Sequence, residues 1–207
     1  MALTLADLKT YFFARGLDFM NDGGVGATRA TRFINDAMHK IDDAEKWAYL
    51  QASTTGTSPV TVSDLGRVES VVDVANLVPL SYMSREEVTD YFADLSGTGT
   101  YSRWYYVTGG TTINAFPVNS SITLTVRYTK VSPDLVADSD VPLMPDRFRM
   151  GIVDYAAMLA FRESNVPDEA QVAQQAGDAV VERMREWNVL VQGGVESQLI
   201  SRGSWDW

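Results

Sequence analysis

The stretch Ile122-Thr123-Leu124-Thr125-Val126-Arg127-Tyr128-Thr129 alternates apolar and polar side chains without a break. In a β-strand a period of two sends the two sets to opposite faces, so we expect the apolar set to face a core and the polar set to face water. This is the clearest strand pattern in the chain. It indicates a fold that contains an antiparallel sheet with one wet face.

Shorter strand-like runs precede this stretch, at residues 60–62, 67–74 and 77–83. Thr108-Gly109-Gly110 separates two further runs and predicts a hairpin, because glycine adopts the positive φ that tight turns need. Ser84 and Glu87 match the spacing of a capping box, in which each side chain bonds the backbone of the other residue. A short helix over residues 85–92 is therefore predicted between the strands.

Outside residues 51–131 the apolar period is helical. Thr4 and Asp7 are spaced to cap a first helix, and a second is predicted from Thr28 to Trp47. Two more helices follow Pro145 and Pro167, and the short turn between them predicts antiparallel packing. No period is assignable after residue 191.

These elements predict an α+β fold: a helical bundle of two N-terminal plus two C-terminal helices, with an inserted antiparallel β subdomain and an extended C-terminal tail. The predicted boundaries are 1–50 for the N-terminal helices, 51–131 for the β insert with its one short helix, 132–191 for the C-terminal helical hairpin and 192–207 for the tail.

Composition narrows the class of protein. The chain has 207 residues, no cysteine and a formal net charge of -10, so a polyphosphate surface should repel it. It begins without a secretory leader pattern and has no apolar stretch of membrane-spanning length. We expect a soluble, cytoplasmic protein that binds neither membranes nor specific nucleic-acid sequences.

Few residues could carry chemistry. His39 is the only histidine, which leaves little material for a histidine-based triad or metal site. The glycine-rich loop at 23–28 has no preceding strand and no P-loop lysine, and Asp138-Ser139-Asp140 lacks the later Gly and Glu of a calcium loop. We therefore expect no enzyme, no cofactor and no metal. A hydrolase that uses carboxylates of the β segment is the alternative from another class.

Aromatic side chains provide the candidate binding residues. Trp205 and Trp207, with Leu199 and Ile200 before them, follow a glycine pair in the tail, and tryptophan is enriched at interface anchors. Folding back onto the chain's own helices is the alternative for this tail. A second group is Tyr101, Trp104 and Tyr105 in the β segment, whose alternatives are packing within the sheet and base stacking.

Several local patterns together resemble a known family. Phe116-Pro117 ends a strand, Ser132-Pro133-Asp134-Leu135 follows the Tyr128 strand, and Val141-Pro142-Leu143-Met144-Pro145 opens a helix rich in Ala and Tyr. With the overall layout, these patterns resemble the head-to-tail adaptor (connector) proteins of tailed bacteriophages. The tail accessory factor and gatekeeper group of short-tailed phages is the most similar part of that family.

The resemblance implies a structural virion protein that forms a dodecameric ring under the portal, in the neck between capsid and tail. Such a ring links the DNA-filled capsid to the tail and lets DNA pass without specific binding. It implies that the tail reaches the portal through Leu199, Ile200, Trp205 and Trp207, and that the β insert meets tail or nozzle proteins through Tyr101, Trp104 and Tyr105. The alternatives are a tail-completion or tail-terminator ring subunit, or a cell-surface-binding module.

Overall fold

The structure is a computed structural model that describes residues 3–17, 20, 25–92, 98–99, 101–117 and 121–201. The chain divides into two units. Met1–Tyr49 with Ser132–Trp207 form the helical unit, and Leu50–Val131 form the sheet unit. The described helices and strands are, in chain order, α1 (Leu5–Phe13), α2 (Val25–Asp42), β1 (Gln51–Thr57), β2 (Val60–Thr61), β3 (Leu65–Asp73), β4 (Val78–Tyr82), α3 (Arg85–Phe92), β5 (Trp104–Thr108), β6 (Thr112–Phe116), β7 (Thr123–Lys130), α4 (Met150–Glu163) and α5 (Pro167–Ser201).

Helix α4 is the centre of the helical unit, and α1, α2 and α5 pack around it. It is buried on nearly every side, as expected of a helix that is apolar all round. Two glycines let α5 approach closely. A Cβ atom on Gly151 would lie 2.8 Å from Val180 Cγ1, and one on Gly177 would lie 3.0 Å from the ring of Tyr155. The α4–α5 contact is therefore closely packed from both sides.

The predicted cap of α1 and the predicted capping box of α3 are confirmed, and the α1 cap is also a capping box. The Thr4 amide donates to Asp7 Oδ2 at 2.9 Å, and the Asp7 amide donates back to Thr4 Oγ1 at 3.4 Å. At α3 the Ser84 amide donates to Glu87 Oε2 at 2.8 Å, and the Glu87 amide donates to Ser84 Oγ at 3.2 Å. These bonds satisfy amides that have no partner within the first turn of a helix.

The sheet unit has seven strands in the order β1-β7-β3-β4-β5-β6-β2. Strands β1 and β2 stand at opposite ends of this order, yet only Ser58 and Pro59 separate them in the chain. The sheet must therefore curl until its two ends meet, and it forms a nearly closed barrel-like structure. Strand β7, which contains most of the alternating stretch, lies between β1 and β3 and pairs with both.

The alternating stretch forms part of the apolar core of the sheet unit, as predicted. This core consists of Val60, Val62, Val71, Leu80, Tyr105, Ile113, Ala115, Ile122, Leu124, Val126 and Tyr128. A smaller cluster on α3, β5 and β6 contains Val88, Tyr106 and Phe116. Because Tyr105 and Tyr106 are neighbours in one strand, they point to opposite faces and fill separate clusters. The predicted hairpin between β5 and β6 is also present, with positive φ at Gly109 and Gly110.

The predicted fold class, a helical bundle with an inserted antiparallel β subdomain and an extended C-terminal tail, is wrong. The described residues form a mixed α/β structure with five helices and a seven-stranded, nearly closed sheet. The sheet is not purely antiparallel, because β4 and β5 run parallel. Parallel neighbours need a crossover connection, and α3 lies in it. Sequence patterns indicate where strands occur and leave their pairing partners open.

Two element boundaries also need correction. Helix α2 ends at Asp42 and not at Trp47, whose buried indole N–H donates to the Ile41 carbonyl at 2.7 Å. The predicted extended tail from residue 192 is helical as far as Ser201. Two interior glycines weaken a helix by about 1 kcal/mol each, but extending a helix that already exists costs much less than nucleating one.

Candidate interaction surfaces

The last buried side chain described in helix α5 is that of Asn188. The buried Asn188 side chain accepts from the Ala48 amide at 2.7 Å and donates to the Lys46 carbonyl at 3.0 Å, which ties α5 to the segment after α2. Beyond this point Val189 and Leu190 are exposed, Leu190 to 75 %. The helix nevertheless continues to Ser201. We call residues 189–201 the α5 extension, and its described side chains include an exposed apolar pair.

The predicted tail anchors lie in or beyond this extension. Leu199 and Ile200 are in the last turn of α5, and their side chains lie outside the described part of the structure. Trp205 and Trp207 lie outside the described residues altogether. Their role as portal anchors stays a prediction.

The structure places the three predicted aromatic residues of the β segment in different environments. Tyr101 is exposed to 65 %, whereas Tyr105 is exposed to only 7 % and belongs to the core of the sheet unit. Trp104 is half-buried and packs against the cluster around Val88. Burial raises the pKa of the Tyr105 hydroxyl, and the neighbouring Tyr82 adds to this shift. The three side chains do not form one continuous exposed surface, and their binding role stays a prediction.

Sequence reasoning missed the turn between β3 and β4. The buried Asp73 carboxylate accepts from the Ala75 amide at 2.9 Å and from Asn76 Nδ2 at 2.6 Å, which fixes the turn. Leu77 then has a φ of 54° and is 80 % exposed, between the exposed Val74 and Val78. We call residues 74–78 the knob. The sequence signal is Asp73 itself, because an Asp side chain commonly accepts hydrogen bonds from the backbone amides two and three residues later.

The helical unit carries an open groove of about 370 Å³ at the start of α5. Its lining is mainly apolar, with carboxylates and one guanidinium at the edge, and consists of Arg15, Asp154, Ala157, Phe161, Asp168, Glu169, Val172, Ala173 and Ala176. Arg15 Nη2 lies 2.5 Å from Asp154 Oδ1. Burial raises the pKa of the Asp154 carboxyl, and Arg15 offsets part of that rise. An apolar hollow with a charged edge can receive a small apolar side chain.

The acidic segment 132–140 is ordered against α1 and α2. Asp140 Oδ2 accepts from the Val136 and Ala137 amides, both at 2.8 Å, and these bonds hold the pKa of Asp140 below its usual range. His39 Nε2 lies 2.7 Å from Asp134 Oδ1. Within the described ranges no group of three or more His, Cys, Asp or Glu side chains is placed to hold a metal ion.

Asp42 lies beside Tyr49 and Ser132, the two residues of the helical unit between which the sheet unit is inserted. The Tyr49 hydroxyl donates a short hydrogen bond to Asp42 Oδ1, and the buried Ser132 hydroxyl also lies close to this carboxyl. Burial raises the pKa of Asp42, and the hydroxyls of Ser132 and Tyr49 offset part of this shift. Burial and the adjacent carboxyl also raise the pKa of Tyr49.

We expect Asp42→Asn to remove one part of the pH dependence of stability. The usual pKa of this carboxyl is 3.8, and a raised pKa means that the folded state binds the proton more tightly than the unfolded chain. Its contribution to stability is therefore complete below the unfolded pKa and is lost as the pH rises through the folded pKa. The variant cannot ionise, so the unfolding free energy of wild type minus that of the variant should fall as the pH rises.

Urea unfolding of both proteins at several values between about pH 4 and pH 7 measures this difference. Asp36→Asn is the matched control, because Asp36 lies on the same helix and is exposed. A free-energy difference for Asp42→Asn that stays flat with pH, or that rises, would contradict the prediction.

The described part of the chain thus presents apolar side chains on ordered elements: a knob, a helix extension and an apolar groove. Such surfaces are typical of proteins that bind other proteins. No helix in the described ranges has the length and hydropathy needed to cross a membrane.

A family model described as SU10 adaptor protein matches residues 3–197. The chain belongs to the SU10 adaptor protein family, and it is therefore a structural adaptor protein of a bacteriophage. This confirms the coarser part of the resemblance seen in the sequence: the protein is a virion component that associates with other head or tail components. No curated protein matches the chain significantly.

Proposed function

We propose that the protein is the head-to-tail adaptor of the tail accessory factor and gatekeeper kind found in short-tailed phages. In this proposal its copies form a dodecameric ring beneath the portal, in the neck between the DNA-filled capsid and the tail. The ring binds the portal on one side and tail or nozzle proteins on the other, and DNA passes through it. This role requires no catalysis and no cofactor.

The α5 extension is the observation that carries the proposal. Helices in proteins are stabilised mainly by packing of an apolar face, and short isolated helices are marginal in water. Helix α5 nevertheless continues for 13 residues beyond Asn188, through two glycines, with Val189 and Leu190 exposed. A partner that covers Val189 and Leu190 would bury these two apolar side chains. The adaptor role provides such a partner in the portal.

The charge of the chain supports DNA passage without DNA binding. The net charge is -10, and residues 132–207 contribute 13 acidic and 6 basic side chains to it. A ring wall of this sign repels the phosphate backbone, so a duplex can slide through without being held.

Cryo-electron microscopy of the assembled particle tests this function. We expect a ring of copies between the portal and the tail, with the α5 extension against the portal. A ring at the far end of the tail tube would instead support the tail-terminator alternative. Copies on the outer tip of the tail, in contact with a host receptor, would support the cell-surface-binding alternative.

A further inference from the structure

We propose that the knob of one copy inserts into the groove at the start of α5 of the next copy. The contact is head-to-tail, because a surface of the sheet unit meets a different surface of a helical unit. Contacts of this kind generate rings when the rotation between copies closes. The inference rests on the proposed ring function and names the subunit contact within it.

The knob is organised for binding. Leucine at a φ of 54° is strained, since its Cβ crowds the backbone in the left-handed region, and such residues occur disproportionately at binding and active sites. Three hydrogen bonds to the buried Asp73 carboxylate hold the turn, from two backbone amides and the Asn76 side chain. Leu77 is thus presented at the tip with little conformational freedom left to lose on binding.

The groove matches the knob in size and chemistry. It is lined by small and apolar side chains, among them Ala157, Phe161 and Ala173, and Val172 at its edge is 67 % exposed. A volume of about 370 Å³ can hold a leucine together with a valine beside it.

Charge favours this pair of surfaces over other contacts between copies. Copies that each carry a net charge of -10 repel one another, and the edge of the groove adds the exposed Asp168 and Glu169. The stretch 74–84 contains no charged residue, so the knob approaches that edge without like-charge repulsion. Arg103 is exposed immediately before β5, and its carbonyl accepts from the Ser81 amide of β4. Its guanidinium is a suitable partner for the acidic edge.

The small size of the contact predicts that the free subunit is mostly monomeric. Stable protein–protein interfaces bury roughly 1,200–2,000 Å² in total, far more than a knob of five residues can cover. The contact is therefore weak between free copies. When the copies dock onto the portal side by side, their local concentration is high and the same contact can form.

Site-directed cross-linking tests the contact cleanly, because the chain has no cysteine of its own. Leu77→Cys and Val172→Cys are made in separate chains, mixed at a concentration on the order of 1 mM and treated with a short bismaleimide. We expect covalent dimers in the mixture and only background levels in either variant alone. Val136→Cys mixed with Val172→Cys is the matched control, since Val136 is as exposed as Leu77.

Three outcomes would overturn the proposal: no dimers above background in the mixture, dimers with Leu77→Cys alone, or equally efficient dimers with the Val136→Cys control. Leu77→Asn provides a second test, because asparagine tolerates positive φ and removes the apolar tip. We expect its thermal stability to be equal or higher and its self-association to be at least about tenfold weaker by ultracentrifugation. Unchanged self-association contradicts the proposal. If a ring is seen in the neck of the particle but cross-linking fails, the proposed function stands and the knob contact does not.

Discussion

Arg149→Met should lower the unfolding free energy by about 3–5 kcal/mol. Arg149 is only 7 % exposed. Its guanidinium donates to the Met144 carbonyl at 2.8 Å, to the Pro142 carbonyl at 2.9 Å and to the Leu3 carbonyl at 3.4 Å, and it also pairs with Asp146. Methionine fills similar space and leaves these acceptors without a charged donor. Urea unfolding followed by circular dichroism measures the loss.

Two further variants, Arg147→Met and Arg149→Lys, are the controls for the loss of stability in Arg149→Met. Arg147→Met removes an exposed guanidinium that lies 4.7 Å from the Phe148 ring centroid and 5.1 Å from that of Trp187. It should cost only about 0.5–1 kcal/mol. Arg149→Lys keeps the positive charge but cannot reach three carbonyls in different directions, so it should lose most of what Arg149→Met loses. Equal losses for Arg147→Met and Arg149→Met would show that the hydrogen bonds of Arg149 to Pro142 and Met144 add no stability.

The elements that could be predicted from the sequence are those decided by neighbouring residues. The box of Ser84 and Glu87 requires only that two side chains lie three residues apart, and α3 starts at Arg85 as predicted. The hairpin at Gly109 and Gly110 depends on two residues that tolerate positive φ. In the alternating stretch every second residue is apolar, and this apolar set is the one that the structure buries.

The fold class could not be predicted because it depends on pairing between distant strands. Strand β7 pairs with β1 over Gln51 to Thr57, and nothing in either sequence excludes another partner. The α3 crossover resembles an interruption within a meander until the parallel pair of Ser81 with Trp104 is known. The end of α5 was missed because Gly193 and Gly194 suggest a break, whereas the helix before them is long enough to continue through both.

The sequence indicates residue types that are common at binding surfaces, but it does not show which side chains share an exposed face. Tyr101, Trp104 and Tyr105 were selected for their residue types, but the strand period separates adjacent side chains onto opposite faces. The knob was missed because its main residues, Val74 and Leu77, have the composition of a core strand. The hydrogen bonds of the buried Asp73 form a turn after β3, and Val74 and Leu77 are exposed in that turn.

Deleting residues 195–207 should abolish attachment to portal-bearing heads and leave the unfolding free energy within about 0.5 kcal/mol of wild type. The last residue of α5 with a buried side chain is Asn188, among those whose side chains the structure describes. The deletion leaves Asn188 and its hydrogen bonds in place, so we expect the helical unit to keep its stability. The same deletion removes Leu199, Ile200, Trp205 and Trp207, the predicted anchors. Co-sedimentation with heads measures attachment, and thermal unfolding measures stability.

Asn188→Ala gives the opposite pattern on the same helix. It removes the acceptor of the Ala48 amide and a donor to the Lys46 carbonyl, which should cost about 1–3 kcal/mol of stability. The folded fraction should still attach to heads, because the α5 extension is intact. The two variants together separate the part of α5 that stabilises the subunit from the part that binds its partner. A truncated protein that unfolds, or that attaches to heads as well as wild type does, would show that the α5 extension is not the portal anchor.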